Sequence, residues 1–171
     1  VLWLLVPQDH IQHALRERAS ERGIDPARLI FAPFVKPTEH LARLPNADLF
    51  LDTFPYGAHT TCSDALWMGL PVLTQIGRSF SARVAASLLA AANVPELVVG
   101  DAREYEDLAV RLASGDGTLD AIRAHLQENR LKLPLFDNER FSADLAALFS
   151  RMVERWSHGQ PPQALPAARQ H

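Results

Sequence analysis

The chain predicts an α/β fold, a parallel sheet with helices on both faces. Two observations carry that expectation. Short apolar runs alternate with helix-length segments about five times, at spacings that suit right-handed crossovers. Several of the runs lack the period-two alternation of a half-exposed strand, which is the pattern of strands covered on both faces. With 171 residues and 47% hydrophobic content, the chain suits one globular domain.

The elements follow in order. Val1-Leu2-Trp3-Leu4-Leu5-Val6 is an unbroken apolar run closed by Pro7, expected as a strand buried on both faces. Residues 9–22 read as a helix with Ile11, Leu15 and Ala19 on one side. Gly23 stands where a helix turns left-handed, and Pro26 follows. Leu29-Ile30-Phe31 is the second strand, and residues 32–37 form a proline-stiffened loop. Pro37 suits the first position of a short helix over 38–44. Residues 49–51 are the third strand, with Asp52 at its end. Phe54-Pro55-Tyr56-Gly57-Ala58 is turn chemistry. His59-Thr60-Thr61 then opens a helix that runs through Met68, and Gly69 with Pro71 stops it. Residues 72–74 and 96–99 are the fourth and fifth strands, separated by an apolar helix over 80–92. Helices over 105–113, 119–132 and 138–157 complete the chain, with Asp101 and either Asp137 or Asn138 as caps. Residues 1–157 are expected to form one lobe, and residues 158–171, rich in Pro and Gln, a flexible tail.

Composition narrows the function classes. The net charge of −3 gives no basic field for nucleic acid. No apolar run approaches the roughly 20 residues of a membrane span, and no signal peptide is visible. Cys62 is the only cysteine, so it forms neither an internal disulfide nor a Cys-rich metal site, and it suits a reducing, cytoplasmic setting. The chain opens on a core-like strand without an initiator Met, so it is expected to be a piece of a longer polypeptide.

The chemistry concentrates at the start of the third helix. A helix start carries unpaired N–H groups and the positive end of the peptide dipole. After a strand of a parallel sheet it attracts phosphate. His59, Thr60 and Thr61 add side-chain donors there, and Asp64 lies one turn below Thr60, placed to accept from ribose hydroxyls. A plainer reading also stands: Thr60 or Thr61 is an N-cap and Asp64 a first-turn acid. His40 and Arg43 are neighbours on the short helix and read equally as a solvated face. Ligands of parallel sheets bind beyond the carboxyl ends of the strands, so the His40 and His59 segments are expected on one edge.

Several segments together resemble a known family. They are Phe31-Ala32-Pro33 with Glu39-His40-Leu41-Ala42-Arg43, Ala47-Asp48 with Leu51-Asp52-Thr53, His-Thr-Thr-x-x-Asp from His59 to Asp64, Ser-x-Arg-Val-Ala-Ala-Ser from Ser81 to Ser87, and Glu104-Tyr105-Glu106-Asp107. In this combination the chain resembles the C-terminal catalytic lobe of O-GlcNAc transferases, in the manner of a bacterial homologue, over about residues 1–156. The related SPINDLY proteins share much of the pattern. The resemblance implies a Rossmann-like nucleotide-binding lobe of a GT-B glycosyltransferase. It implies transfer of GlcNAc from UDP-GlcNAc to Ser or Thr hydroxyls of proteins, with inversion.

By that resemblance His59, Thr60 and Thr61 hold the diphosphate and Asp64 the ribose. His40 lies against the uracil, whose edge is read by Arg43 and the Val35 backbone. Lys36 is the lysine of the same loop, but it precedes Pro37, where animal members have Pro before Lys, and Tyr56 stands where they have a small thiol residue. The resemblance also implies partners within the same polypeptide, an N-terminal catalytic lobe and acceptor-binding helical repeats. Catalytic groups are expected there, and none is assigned here. No Asp-x-Asp pair or His/carboxylate cluster with ligand spacing occurs, so no metal or other cofactor is expected. Two alternatives are an O-fucosyltransferase of the SPINDLY kind using GDP-fucose, and a non-catalytic nucleotide-binding or receiver-like signalling module with Asp52 as phospho-acceptor.

Overall fold

The computed structural model describes residues 1–165, so the expected tail from 158 lies partly outside the described residues. The chain forms two compact units, Val1–Arg43 and a second that begins at Leu44.

In the first unit, β1 (Leu2–Leu4) and β2 (Leu29–Phe31) pair in parallel, with Leu2 opposite Leu29 and Leu4 opposite Phe31. The crossover is α1 (Asp9–Glu21), ended by Gly23 at φ +70°. Gln12 Nε2 donates to the Val6 carbonyl at 2.7 Å, and the Arg16 guanidinium lies 4.6 Å from the Phe31 ring centroid. α2 (Pro37–Arg43) has its proline in the first position, as expected. The first strand is shorter than its apolar run and is not buried on both faces. Val1, Leu2, Trp3 and Leu5 are exposed. An apolar run shows what a strand tolerates, not what covers it.

The second unit holds β3 (Phe50–Leu51), β4 (Val72–Gln75) and β5 (Val98–Val99), all parallel, with β4 central. α3 (Thr60–Trp67) carries the chain from β3 to β4, and α4 (Val84–Ala91) from β4 toward β5. Both pack against β4, as does α5 (Ala102–Leu112). The core gathers there: Leu66, Leu70, Val72, Leu73, Leu89 and Leu97 are fully buried. α6 (Thr118–Asn129) packs on α3 and buries Leu126. α7 (Asn138–Ser157) has the expected bounds, capped by Asp137 accepting from Arg140 N–H.

The α/β class stands, with the five parallel strands divided between a two-stranded and a three-stranded sheet. The helix expected over 119–132 ends at Asn129, where a 3-10 turn, Arg130–Lys132, takes over, and three further boundaries differ for local reasons. Residues 80–83 are turns, closed by Arg83 N–H on the Phe80 carbonyl, so α4 begins late. Pro95 starts a 3-10 turn, Pro95–Leu97, which removes two residues from the fifth strand. α5 begins three residues early because Asp101 accepts from both Arg103 and Glu104 N–H at 2.9 Å.

Candidate functional site

Asp52 follows the last residue of β3, and residues 53–58 cross to the start of α3. His59 is the N-cap residue and makes no capping bond with its side chain. Its carbonyl opens the helix by accepting from Cys62 and Ser63 N–H, each at 3.1 Å. Among the described residues, the Thr60 and Thr61 N–H groups have no partner. Both threonines are exposed. Two free amides, two hydroxyls and the positive dipole end therefore point the same way chemically, toward an anion. The capping reading fails for both threonines, since each lies inside α3.

His59 is held from three sides. Tyr56 stacks on its ring at 5.4 Å, Phe80 meets it edge-on at 5.9 Å, and Nε2 lies 3.3 Å from the Ser81 carbonyl. Asp64 is half-buried one turn into α3, and its carboxylate meets no donor among the described residues. Such a carboxylate has its full accepting capacity for a ligand.

In the first unit, α2 brings His40 and Arg43 together as their spacing implies. Arg43 Nη2 lies 3.0 Å from His40 Nδ1, Nη1 donates to the Pro33 carbonyl at 2.9 Å, and the guanidinium sits 5.3 Å from the Trp3 ring centroid. A guanidinium only donates, so Nδ1 is the acceptor and the imidazole proton sits on Nε2. Arg43 thus orients His40 and the loop before it. The Lys36 carbonyl accepts from His40 N–H at 2.9 Å, while the Lys36 side chain is exposed and Val35 half-buried.

Sequence reasoning did not see the role of Asp52. It is 4% exposed and accepts from Thr53 N–H, Ala58 N–H and Thr74 Oγ1 at 2.7–2.8 Å. Its own carbonyl accepts from the Tyr105 hydroxyl at 2.9 Å. A carboxylate so enclosed is unsuited to be a receiver's phospho-acceptor. An acid at a strand end followed eight residues later by a helix start was the available signal. Burial, and then the charge of Asp52, push the Tyr105 hydroxyl up to about 12. The same two causes push the buried Cys62 thiol to about 12, so it is an inert core group.

Parallel strands joined by crossover helices place this chain in the α/β class. It belongs to glycosyl transferase family 41, whose family model matches residues 1–145. The chain is 38% identical over 162 residues to a UDP-N-acetylglucosamine–peptide N-acetylglucosaminyltransferase of Caenorhabditis elegans, covering 94% of this chain and 14% of that protein. It is 35% identical to the probable enzyme of that name, SEC, of Arabidopsis thaliana, covering 95% and 17%. Among solved structures, a mutant O-GlcNAc transferase of Thermobaculum terrenum superposes with a TM-score of 0.77 at 34% identity, over 85% of this chain and 28% of that one. The chain thus spans 14–17% of the length of these curated relatives.

Proposed function

We propose that this chain supplies the donor-nucleotide site of an inverting transferase that moves GlcNAc from UDP-GlcNAc to serine or threonine hydroxyls of proteins. The observation that carries the reading is the start of α3, where Thr60 and Thr61 offer free N–H groups beside His59. Family membership and the names of the relatives support the donor sugar and the protein acceptor.

The second unit is assigned the diphosphate and ribose. As the glycosidic bond breaks, negative charge grows on the leaving UDP. Fixed N–H dipoles and the His59 imidazole stabilise it without reorganising. Asp64 accepts from ribose hydroxyls. The first unit is assigned the base: His40 lies against the uracil ring, held by Arg43, with Arg43, the Val35 backbone and Lys36 near the ring edge and sugar. The acceptor hydroxyl and the base that activates it are assigned to the N-terminal lobe and helical repeats of the full-length polypeptide. The reaction is read as cytoplasmic, in keeping with a reduced, buried Cys62. No helix of the described residues is long and apolar enough to cross a membrane.

Titration of the full-length protein with UDP, uridine and GDP tests this. UDP is expected to bind more tightly than either of the others. His59→Ala removes the side chain assigned to the diphosphate, so UDP affinity falls about tenfold or more while uridine affinity holds. Equal losses for UDP and uridine would remove the assignment.

A further inference from the structure

We propose that Asp52 is the positioning residue of the diphosphate site: its carboxylate fixes the 53–58 loop and, through it, the start of α3. The proposal rests on the reading of that helix start as a diphosphate site. Asp52 Oδ1 accepts at 2.8 Å from Thr53 N–H and at 2.7 Å from Ala58 N–H, the two ends of the loop. One oxygen therefore closes the loop on itself. Oδ2 accepts from Thr74 Oγ1 at 2.7 Å, which ties the closed loop to the end of β4. Thr74 is 2% exposed and follows the buried Val72 and Leu73 in the central strand. A buried hydroxyl and a buried carboxylate each need a partner, and here each supplies the other's.

The loop's other contacts are few, the Phe54 ring edge-on against Tyr105 at 5.8 Å among them. Thr53 Oγ1 bonds the Tyr56 carbonyl, and Gly57 N–H bonds the Ser81 carbonyl at 3.2 Å. That carbonyl is the one beside His59 Nε2. Ala58, fixed by Asp52, is the residue immediately before His59. The position of the imidazole and of the free Thr60 and Thr61 amides is thus set from below by a group that does not reach the ligand. Gly57 preserves the close approach: a Cβ there would stand 3.0 Å from Asp52 Oδ2 and 3.2 Å from the Ser81 carbonyl. Donors aimed at a phosphate must be held to a fraction of an ångström, and a small displacement costs far more than its size suggests.

The test measures UDP and uridine affinity on the full-length protein. Asp52→Ala releases both ends of the loop, so UDP affinity falls about tenfold with uridine affinity unchanged. Gly57→Ala crowds Asp52 Oδ2 and the Ser81 carbonyl while keeping the carboxylate's charge, and is expected to lower the UDP-to-uridine ratio by about threefold. Asp52→Asn keeps an acceptor at Oδ1 while the Thr74 hydroxyl turns to accept from the new amide, so it rescues most of the loss. If Asp52→Ala does not fold, the other two variants decide. An Asn variant as weak as a folded Ala variant overturns the proposal, because charge rather than anchoring would then matter. An unchanged ratio in both Asp52→Ala and Gly57→Ala, with His59→Ala still selective against UDP, overturns the positioning role alone. A parent protein that binds UDP no better than uridine overturns the diphosphate reading and this proposal with it.

Discussion

Asp64 is where two readings of one residue separate. Asp64 lies beyond the first turn of α3, so as a plain helix acid it would complement the dipole only weakly, and Asp64→Asn would cost about a few tenths of a kcal/mol of stability and leave binding alone. A half-buried carboxylate without a donor among the described residues favours the second reading, a ribose acceptor. The amide keeps one accepting oxygen, turns the other arm into a donor and loses the charge that strengthened both bonds. Affinity for UDP should then fall by roughly 1–3 kcal/mol. A donor lacking the 2′ or 3′ hydroxyl should lose little further on the mutant, since the same interaction is already missing. Wild-type affinity in a less stable mutant would leave Asp64 as a dipole acid, and so would additive losses with both deoxy donors.

At the scale of elements, α5 is fastened to the end of β3 by one hydroxyl, Tyr105 on the Asp52 carbonyl. The bond needs the protonated tyrosine. Its folded-state value, about 12, lies above its ordinary 10.0, with burial the larger cause and Asp52 the lesser. The folded state therefore holds its proton longer than the unfolded chain does. The contribution is complete below pH 10 and is lost as the pH rises from there through about 12. Tyr105→Phe should cost about 1 kcal/mol near neutral pH. The gap between parent and mutant should narrow in denaturant titrations near pH 11, since the mutant lacks this linkage. A constant gap would mean that the hydroxyl contributes nothing through its proton. Neither end of this bond was legible in the sequence, where Tyr105 and Asp52 stand 53 positions apart. The elements themselves were legible because their signals are local: Gly23 and Gly69 at helix ends, Pro37 at a helix start, Asp101 as a cap. The helix tip was legible for the same reason, since residues 59–64 carry their geometry within one turn. The exposed β1 and the division into two sheets depend on which strands find neighbours, which no short window records.

For the whole molecule, the proposed function turns on what kind of charge would meet the leaving group. Some transferases neutralise a departing diphosphate with a divalent cation, which requires oxygen ligands, usually carboxylates, next to the phosphates. Here the groups at the start of α3 are His59, Thr60 and Thr61, and none is a carboxylate. The nearest acids are committed elsewhere. Asp52 is buried and filled by three donors, and Asp64, one turn down the helix, is assigned to the ribose. Amides, hydroxyls and an imidazole supply positive potential as fixed dipoles and donors, which is sufficient to hold an anion without a cation bridging it. Transfer by the full-length protein should therefore proceed at an undiminished rate in EDTA, and added Mg²⁺ or Mn²⁺ should not raise it. His59→Ala in the same assay should lower the rate whether or not metal is present, because the first turn of α3 has no carboxylate to hold a cation in place of the imidazole. Activity abolished by EDTA and restored by either ion would contradict this account of the leaving group. Recovery of the His59→Ala variant by Mg²⁺ would contradict it more specifically, by showing that a cation can take the place of the imidazole beside the diphosphate.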